Sequence, residues 1–159
     1  MDFSSRIKIL SLSEVQELYS LPKLSHPEQE FYFSVDSTEL SVAFSYRTLI
    51  GQVFFILQLG YFKAKKMFFL PSYDEVKEDI TFIKDKYFNH QELSTILDVS
   101  KTTRWNQQQK ILYLLQYQYF DDYWKLKLQE KGSQSVRISS KPEFIFKELF
   151  HYLEKSKVV

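Results

Sequence analysis

The stretch RTLIGQVFFILQLGYFK, residues 47–63, decides the fold of this chain. Between its arginine and its final lysine almost every position is apolar or glycine, with Gln52 and Gln58 as interruptions. A helix that is hydrophobic all round belongs in a protein core. The sequence therefore predicts one central, buried helix over residues 48–66. The run is shorter than the ~18–20 apolar residues that a membrane-spanning helix needs.

Two glycines, Gly51 and Gly60, lie inside this predicted helix. Each costs ~1 kcal/mol relative to alanine in a helix interior. We therefore expect another helix to approach closely and compensate for that cost. Gln52 and Gln58 are expected on a wetter edge of the helix.

Serine–glutamate pairs indicate where further helices begin. In a capping box the serine hydroxyl accepts from a free helix N–H, and a glutamate three residues later reaches back. Four such pairs occur: Ser11/Glu14, Ser25/Glu28, Ser72/Glu75 and Ser140/Glu143. With three Gly and four Pro in the whole chain, helices are favoured over turn-rich sheets. We predict an all-α fold with helices at 12–20, 26–32, 37–45, 48–66, 73–87, 90–97, 103–120 and 141–155.

Two segments near the end of the chain are less regular. Residues 121–131 can extend a helix that Gly132 would end, and residues 136–139 read as a loop or a brief strand. The predicted helices divide into two small packed subdomains, residues 1–88 around the core helix and residues 89–159. In the second subdomain the predicted helix 90–97, a short turn and the helix 103–120 form a helix-turn-helix-like arrangement.

The composition narrows the functional classes. The absence of cysteine excludes disulfides and thiolate metal sites and fits a reducing compartment. The three histidines are far apart, and three glycines hardly suffice for a phosphate loop, so we expect no metal, no cofactor, no small-molecule substrate and no enzymatic activity. The pairs Glu78-Asp79 and Asp121-Asp122 are expected to be solvated charges. The start of the chain lacks the profile of a signal peptide, so we expect a soluble, cytoplasmic protein.

Charge is distributed unevenly along the chain. Residues 101–159 hold 11 Lys+Arg and 6 Asp+Glu, a net charge of +5, although the whole chain carries only +1. A basic final third favours a nucleic-acid partner. The near-neutral total is what a protein-interaction module would show.

The segment from Ser100 to Tyr119 carries the candidate DNA-reading residues. Its apolar side is predicted to hold Trp105, Ile111, Leu112, Leu115 and Tyr119, and its polar side Thr103, Asn106, Gln107 and Lys110. Asn and Gln can pair bidentately with adenine, Lys can reach guanine or phosphate, and a Thr methyl can touch thymine. A recognition helix contacts bases through its N-terminal residues, where these groups lie. A polar first turn is also common on ordinary surface helices.

Further cations are candidate phosphate contacts. Lys63, Lys65 and Lys66 follow the core helix, where the alternative role is a favourable interaction with the helix dipole. The complete predicted DNA-binding set is Arg47, Lys63, Lys65, Lys66, Lys101, Thr103, Arg104, Asn106, Gln107 and Lys110.

The order of these motifs resembles the amino-terminal DNA-binding region of transposases of the Tn-three family, the large replicative transposases. Its most specific part is Leu57-Gln-Leu-Gly-Tyr61, placed ten residues after Arg47. The remaining matches are Leu12-Ser-Glu14, Leu21-Pro22, Phe31-Tyr-Phe33, Gly51, and Thr103-Arg104 followed by Ile111. The family pattern favours a glycine near Lys66 and a histidine at Trp105, so the chain departs from it at these two positions.

The resemblance implies an all-helical module that binds the terminal inverted repeats of a transposon in DNA transposition. In this family strand transfer belongs to a separate carboxy-terminal domain with an Asp-Asp-Glu triad, so the resemblance implies binding without catalysis. The expected partners are double-stranded DNA at transposon ends, and a further copy of the chain or a full-length transposase. The alternative is a protein-interaction module from the same region that modulates a full-length transposase.

Overall fold

The computed structural model describes residues 9–93 and 97–159. Within these ranges the chain is all-α, as predicted, and extended segments pair only in one bridge between Gln118 and Val158. None of the described helices is long and apolar enough to cross a membrane. The helices of the described ranges are α1 (Leu12–Tyr19), α2 (His26–Tyr32), α3 (Ser37–Phe44), α4 (Leu49–Lys65), α5 (Tyr73–Tyr87), α6 (Lys101–Leu115), α7 (Asp122–Ile138) and α8 (Pro142–Lys155).

Helix α4 is the centre of the core. All its residues from Val53 to Phe62 are buried, and Gly51 is buried as well. Helices α2, α3, α5 and α6 pack against it. The prediction of a central buried helix is thereby confirmed, because a helix without a polar face needs neighbours around its whole circumference.

Gly60 allows the end of α2 to approach α4. A Cβ atom built on Gly60 would lie 2.3 Å from Cδ1 of Phe33 and 3.1 Å from the carbonyl oxygen of Tyr32. The predicted close approach is confirmed here. At Gly51 the same atom would meet Thr48 Oγ1, the cap of its own helix, at 3.0 Å, and no side chain of another helix lies within 4 Å.

Three of the four predicted capping boxes are present, at the starts of α1, α2 and α5. An additional box at α3 uses Asp36 and Glu39. The predicted box at Ser140 is wrong, because α8 is capped at Lys141 and Glu143 pairs instead with Lys147 at 2.7 Å. Pro142 explains the shift, since proline prefers the first helical position and thereby sets where α8 begins.

The predicted helix 90–97 is not found in its described part. Residues 90–93 and 97 lie outside helices, and residues 94–96 fall outside the described ranges. Asn89 and His90 adopt left-handed backbone angles, with φ of 51° and 58°, which ends α5. The first helix of the predicted helix-turn-helix is therefore missing from the described residues.

Helices α6 and α7 have other limits than predicted. Gln116 adopts a φ of 60° and ends α6 five residues before the predicted limit of 120. Gln118 then pairs with the end of the chain, where its N–H donates to Lys157 O at 3.0 Å. Helix α7 continues through Gly132 to Ile138, so the predicted loop or strand at 136–139 is mostly helix.

The chain forms two compact units with limits that differ from the predicted 1–88 and 89–159. The central unit is Leu21–Leu115, and the terminal unit consists of the described residues up to Ser20 together with Gln116–Val159. Helix α6 belongs to the central unit because it packs on α4. In the terminal unit α7 packs against α8, and the ring centroids of Trp124 and Tyr152 lie 6.2 Å apart.

Candidate nucleic-acid interface

Helix α6 carries the candidate interface and begins two residues earlier than predicted. Ser100 caps it, because its hydroxyl accepts from the Thr103 N–H at 3.1 Å and its carbonyl accepts from the Arg104 N–H at 2.9 Å. Over its fifteen residues α6 contains three cations and no carboxylate. Such a helix has a positive potential that suits a polyanion.

Gln107 lies in the core and not on the predicted reading face. Its side chain is fully buried, its Nε2 donates to Gly51 O at 2.8 Å, and its Oε1 accepts from Gln58 Nε2 at 2.6 Å. Gln107 is therefore not available to contact bases, contrary to the expectation. Gln58 is likewise buried and not on a wetter edge, and its Oε1 has no partner among the described residues.

Trp105 was expected on the apolar side of α6, but it is 58% exposed. At about 100° per residue, the inward direction is set by Gln107, Ile111 and the half-buried Arg104. Ile111 and Leu112 are buried as predicted. Because Gln107 faces inward, the helix is rotated relative to the prediction and Trp105 turns outward.

The exposed side chains of α6 form one surface, which we call the outer face of α6. Asn106 and Lys110 were predicted there, and Lys101 is exposed at the helix start. Within the described part of the chain these residues make no salt bridge or side-chain hydrogen bond that would occupy them. The outer face consists of Lys101, Thr102, Trp105, Asn106, Lys110 and Tyr113.

Sequence reasoning missed three members of this face. Thr102, Trp105 and Tyr113 recur with Asn106 at helical spacing, and that spacing becomes informative only once Gln107 is known to face inward. Thr103 is half-buried, and its Oγ1 accepts from the Ser100 hydroxyl at 2.9 Å. Its hydroxyl is thus already engaged at the helix start.

The predicted phosphate contacts near α4 have different environments. Lys63 is held in an ion pair with the buried Glu39 at 2.9 Å, and it also donates to Ser34 O at 3.0 Å. Lys65 is half-buried, whereas Arg47 is exposed in the loop before α4. Lys63 therefore has a structural role in joining α3 to α4.

Lys66 is exposed and caps α4 in a left-handed conformation with a φ of 57°. Glycine adopts this conformation without strain. The family resemblance expects a glycine near this position, and here a lysine adopts the left-handed conformation.

A second buried polar cluster lies between α2, α4 and α5. Asp79 was expected to be solvated, but it is buried, accepts from Gln29 Nε2 at 2.7 Å and accepts a short hydrogen bond from the Tyr61 hydroxyl. Burial, together with the hydrogen bond to Asp79, raises the pKa of Tyr61 well above its ordinary value. No group of three metal-ligating side chains meets within residues 9–93 and 97–159.

A comparison with protein families matches residues 9–159 to one model, described as "Domain of unknown function (DUF4158)". The match covers nearly the whole chain. The chain belongs to this family. No curated protein and no solved structure matches the chain. The family description names no activity.

Proposed function

We propose that this chain is the DNA-binding module of a Tn-three family transposase and recognises the terminal inverted repeats of a transposon. The observation that supports this proposal is the outer face of α6, where cations and an amide are exposed on a helix without carboxylates. The motifs around Arg47 and Leu57–Tyr61 resemble this family, and this resemblance is the reason for proposing transposon ends as the DNA that is bound. A cytoplasmic location fits the absence of cysteine.

Each side chain of the proposed interface has a chemical role. The Asn106 amide can donate to N7 of adenine while its side-chain oxygen accepts from the N6 amino group, a bidentate pair that makes it the proposed base-reading residue. Lys101, Arg104 and Lys110 neutralise phosphates and release counterions, which provides affinity without sequence preference. Arg104 is half-buried on the inward-turning side of α6, so only the end of its long side chain would extend to the DNA backbone.

The proposal includes binding without strand transfer or DNA cleavage. The resemblance assigns that chemistry to a separate domain with an Asp-Asp-Glu triad. Incubation of the purified protein with an inverted-repeat duplex and Mg²⁺ should leave the DNA intact. Cleavage that a point mutation in this chain abolishes would contradict the proposal.

One alternative is favoured by separate observations. The net charge of +1 is low for a DNA-binding protein, and the terminal unit exposes large apolar side chains such as Leu126 and Ile138. These features suit a module that binds a full-length transposase and modulates it. Under this alternative the chain would form a complex with the transposase and would have no affinity for DNA of its own.

Fluorescence anisotropy with inverted-repeat and scrambled duplexes across a salt series tests the proposal. Affinity should fall steeply with salt because phosphate contacts release counterions. Arg104→Ala and Lys110→Ala should weaken binding to both duplexes, and Lys110→Ala should reduce the salt slope by about 1. Asn106→Ala should instead narrow the difference in binding free energy between the inverted-repeat and the scrambled duplex by about 1–3 kcal/mol.

Lys77 offers a matched control, because it is an exposed cation of the central unit on α5 and not on α6. Lys77→Ala should bind both duplexes as the wild type does. Negligible affinity for both duplexes at low salt would remove the DNA-binding proposal and leave the protein-interaction alternative. An equal loss of affinity in Lys77→Ala and Lys110→Ala would show that α6 is not the interface.

A further inference from the structure

Two large aromatic side chains on the outer face of α6 have no aromatic partner among the described residues. Trp105 is 58% exposed and Tyr113 is 82% exposed. The other tryptophan, Trp124, instead contacts the rings of Tyr123 and Tyr152. Single exposed apolar side chains are ordinary on protein surfaces. Two unstacked rings on the same face of a helix without carboxylates are a more specific indication of a binding surface.

The spacing of the two rings indicates how they would be used. Eight residues separate them, which corresponds to about 12 Å along the helix axis and about 80° around it. Asn106 and Lys110 lie between them in sequence on the same exposed side. Stacked bases of one strand are about 3.4 Å apart. Trp105 and Tyr113 can therefore each contact a different base of one strand, while the lysines contact its phosphates.

Resting on the proposed DNA-binding function, we propose that the outer face of α6 binds DNA with unpaired bases and that Trp105 and Tyr113 stack on those bases. Proteins bind unpaired nucleotides by combining cations along the backbone with aromatic rings on which bases stack. Lys101 and Lys110 supply the cations, and the absence of any carboxylate in α6 removes repulsion from phosphates.

The rings themselves favour unpaired bases over an intact duplex. In a duplex each base face is covered by its neighbours, so a ring stacks only after a base step has been opened, which costs free energy. A strand whose bases are already unpaired offers those faces without this cost. The partner class is thus DNA with a locally opened or single-stranded segment.

The test uses the full chain with Trp124→Phe, so that Trp105 is the only tryptophan. The probes are a fully paired duplex and the same duplex with a short central bubble. Binding of the bubble probe should quench Trp105 fluorescence and be about a hundredfold tighter than binding of the paired probe, about tenfold for each of the two stacked bases. Circular dichroism checks that Trp124→Phe leaves the helical content unchanged.

Substitutions separate stacking from packing, since both rings are exposed and their removal leaves the core intact. Trp105→Leu and Tyr113→Leu should each lose about tenfold in affinity for the bubble probe and little for the paired probe. Trp105→Phe and Tyr113→Phe should keep most of the affinity because a ring remains.

The outcomes distinguish this proposal from the proposed function. Salt-sensitive binding of both probes with equal affinity, without quenching of Trp105, would overturn the stacking proposal and leave duplex binding standing. Unchanged affinity of Trp105→Leu and Tyr113→Leu for the bubble probe would also overturn it. Absence of binding to either probe at low salt would overturn both proposals.

Discussion

Gln107 and Asp79 are polar side chains in the interior of the central unit. Gln107 bonds to Gly51 and Gln58, and Asp79 accepts from Gln29 and Tyr61. Burial of a polar group is costly unless it is hydrogen-bonded. Both residues therefore act in the fold, and the candidate binding residues are the exposed neighbours of Gln107 on α6.

Gln107→Leu should destabilise the protein without acting on base recognition directly. The substitution removes the partners of the Gly51 carbonyl and the Gln58 amide in the core, and we expect the free energy of unfolding to fall by about 1–3 kcal/mol. Urea denaturation measures this change. Asn106→Leu, at the exposed neighbouring position, is the control and should change stability by less than about 0.5 kcal/mol. Equal effects of the two substitutions would contradict the burial of Gln107.

Gly60→Ala should be destabilising because the new methyl group would lie 2.3 Å from the Phe33 ring. Overpacking of this kind costs about 1–3 kcal/mol. Gly132→Ala is the matched control, since its Cβ would be 3.9 Å from Leu149 Cδ2, an ordinary contact. Alanine in the interior of α7 should stabilise the protein by up to ~1 kcal/mol. The midpoint temperature of thermal unfolding should therefore fall for Gly60→Ala and rise for Gly132→Ala. A shift of both midpoints in the same direction would argue against this packing.

At the scale of elements, local signals set the helix starts. Serine or aspartate at the cap and glutamate three residues later begin α1, α2, α3 and α5. Each box satisfies N–H groups that the helix itself leaves free. Since these interactions depend only on neighbouring residues, they are readable from the sequence.

The capping boxes predict a pH dependence of stability. The backbone N–H of the cap serine, followed by its hydroxyl, lowers the pKa of Glu14 and Glu75, and the cap hydroxyl, followed by the N–H, lowers that of Glu28. A carboxylate with a lowered folded pKa contributes stability that is complete above its ordinary pKa of 4.5 and is lost as the pH falls through its folded pKa.

We therefore expect the urea midpoint to be constant at moderately acidic pH and to fall below about pH 4.5. Glutamine can accept the same hydrogen bonds without titrating. The triple variant with glutamine at positions 14, 28 and 75 should show a weaker decline. Identical acid profiles of the variant and the wild type would rule out these boxes as a source of the pH dependence.

At the scale of the whole molecule, the two units differ in how they are built. The central unit is continuous from Leu21 to Leu115, whereas the terminal unit combines segments from both ends of the described chain. Among the described residues every buried apolar side chain except Val158 belongs to the central unit. The hydrophobic stabilisation of the fold is thus concentrated there.

The segment Leu21–Leu115 should fold by itself. Its core is complete within its own sequence, so we expect a helical circular dichroism spectrum and a cooperative thermal transition. Ile56→Asp in this segment should abolish the transition, because an unpaired carboxylate in the core costs more than a small domain can tolerate. A gradual, non-cooperative melt of the unsubstituted segment would show that it depends on the terminal unit.

The sequence by itself determined the helical class, the central helix α4 and the starts of most helices. All-round apolarity and capping boxes are local properties, so they needed no knowledge of the fold. Part of the candidate site was also readable, since Lys101, Asn106 and Lys110 were proposed for binding and are exposed on α6. Their function in binding stays a prediction.

Only the tertiary structure decided which way α6 faces and which segments form each unit. Helix α6 has few apolar residues, and its buried positions are Gln107, Ile111 and Leu112. With so weak an apolar stripe, the bonds of Gln107 to α4 set its rotation, and those bonds join residues about fifty positions apart. Contacts between distant segments depend on how helices pack, and the periodicity of a single sequence does not predict them.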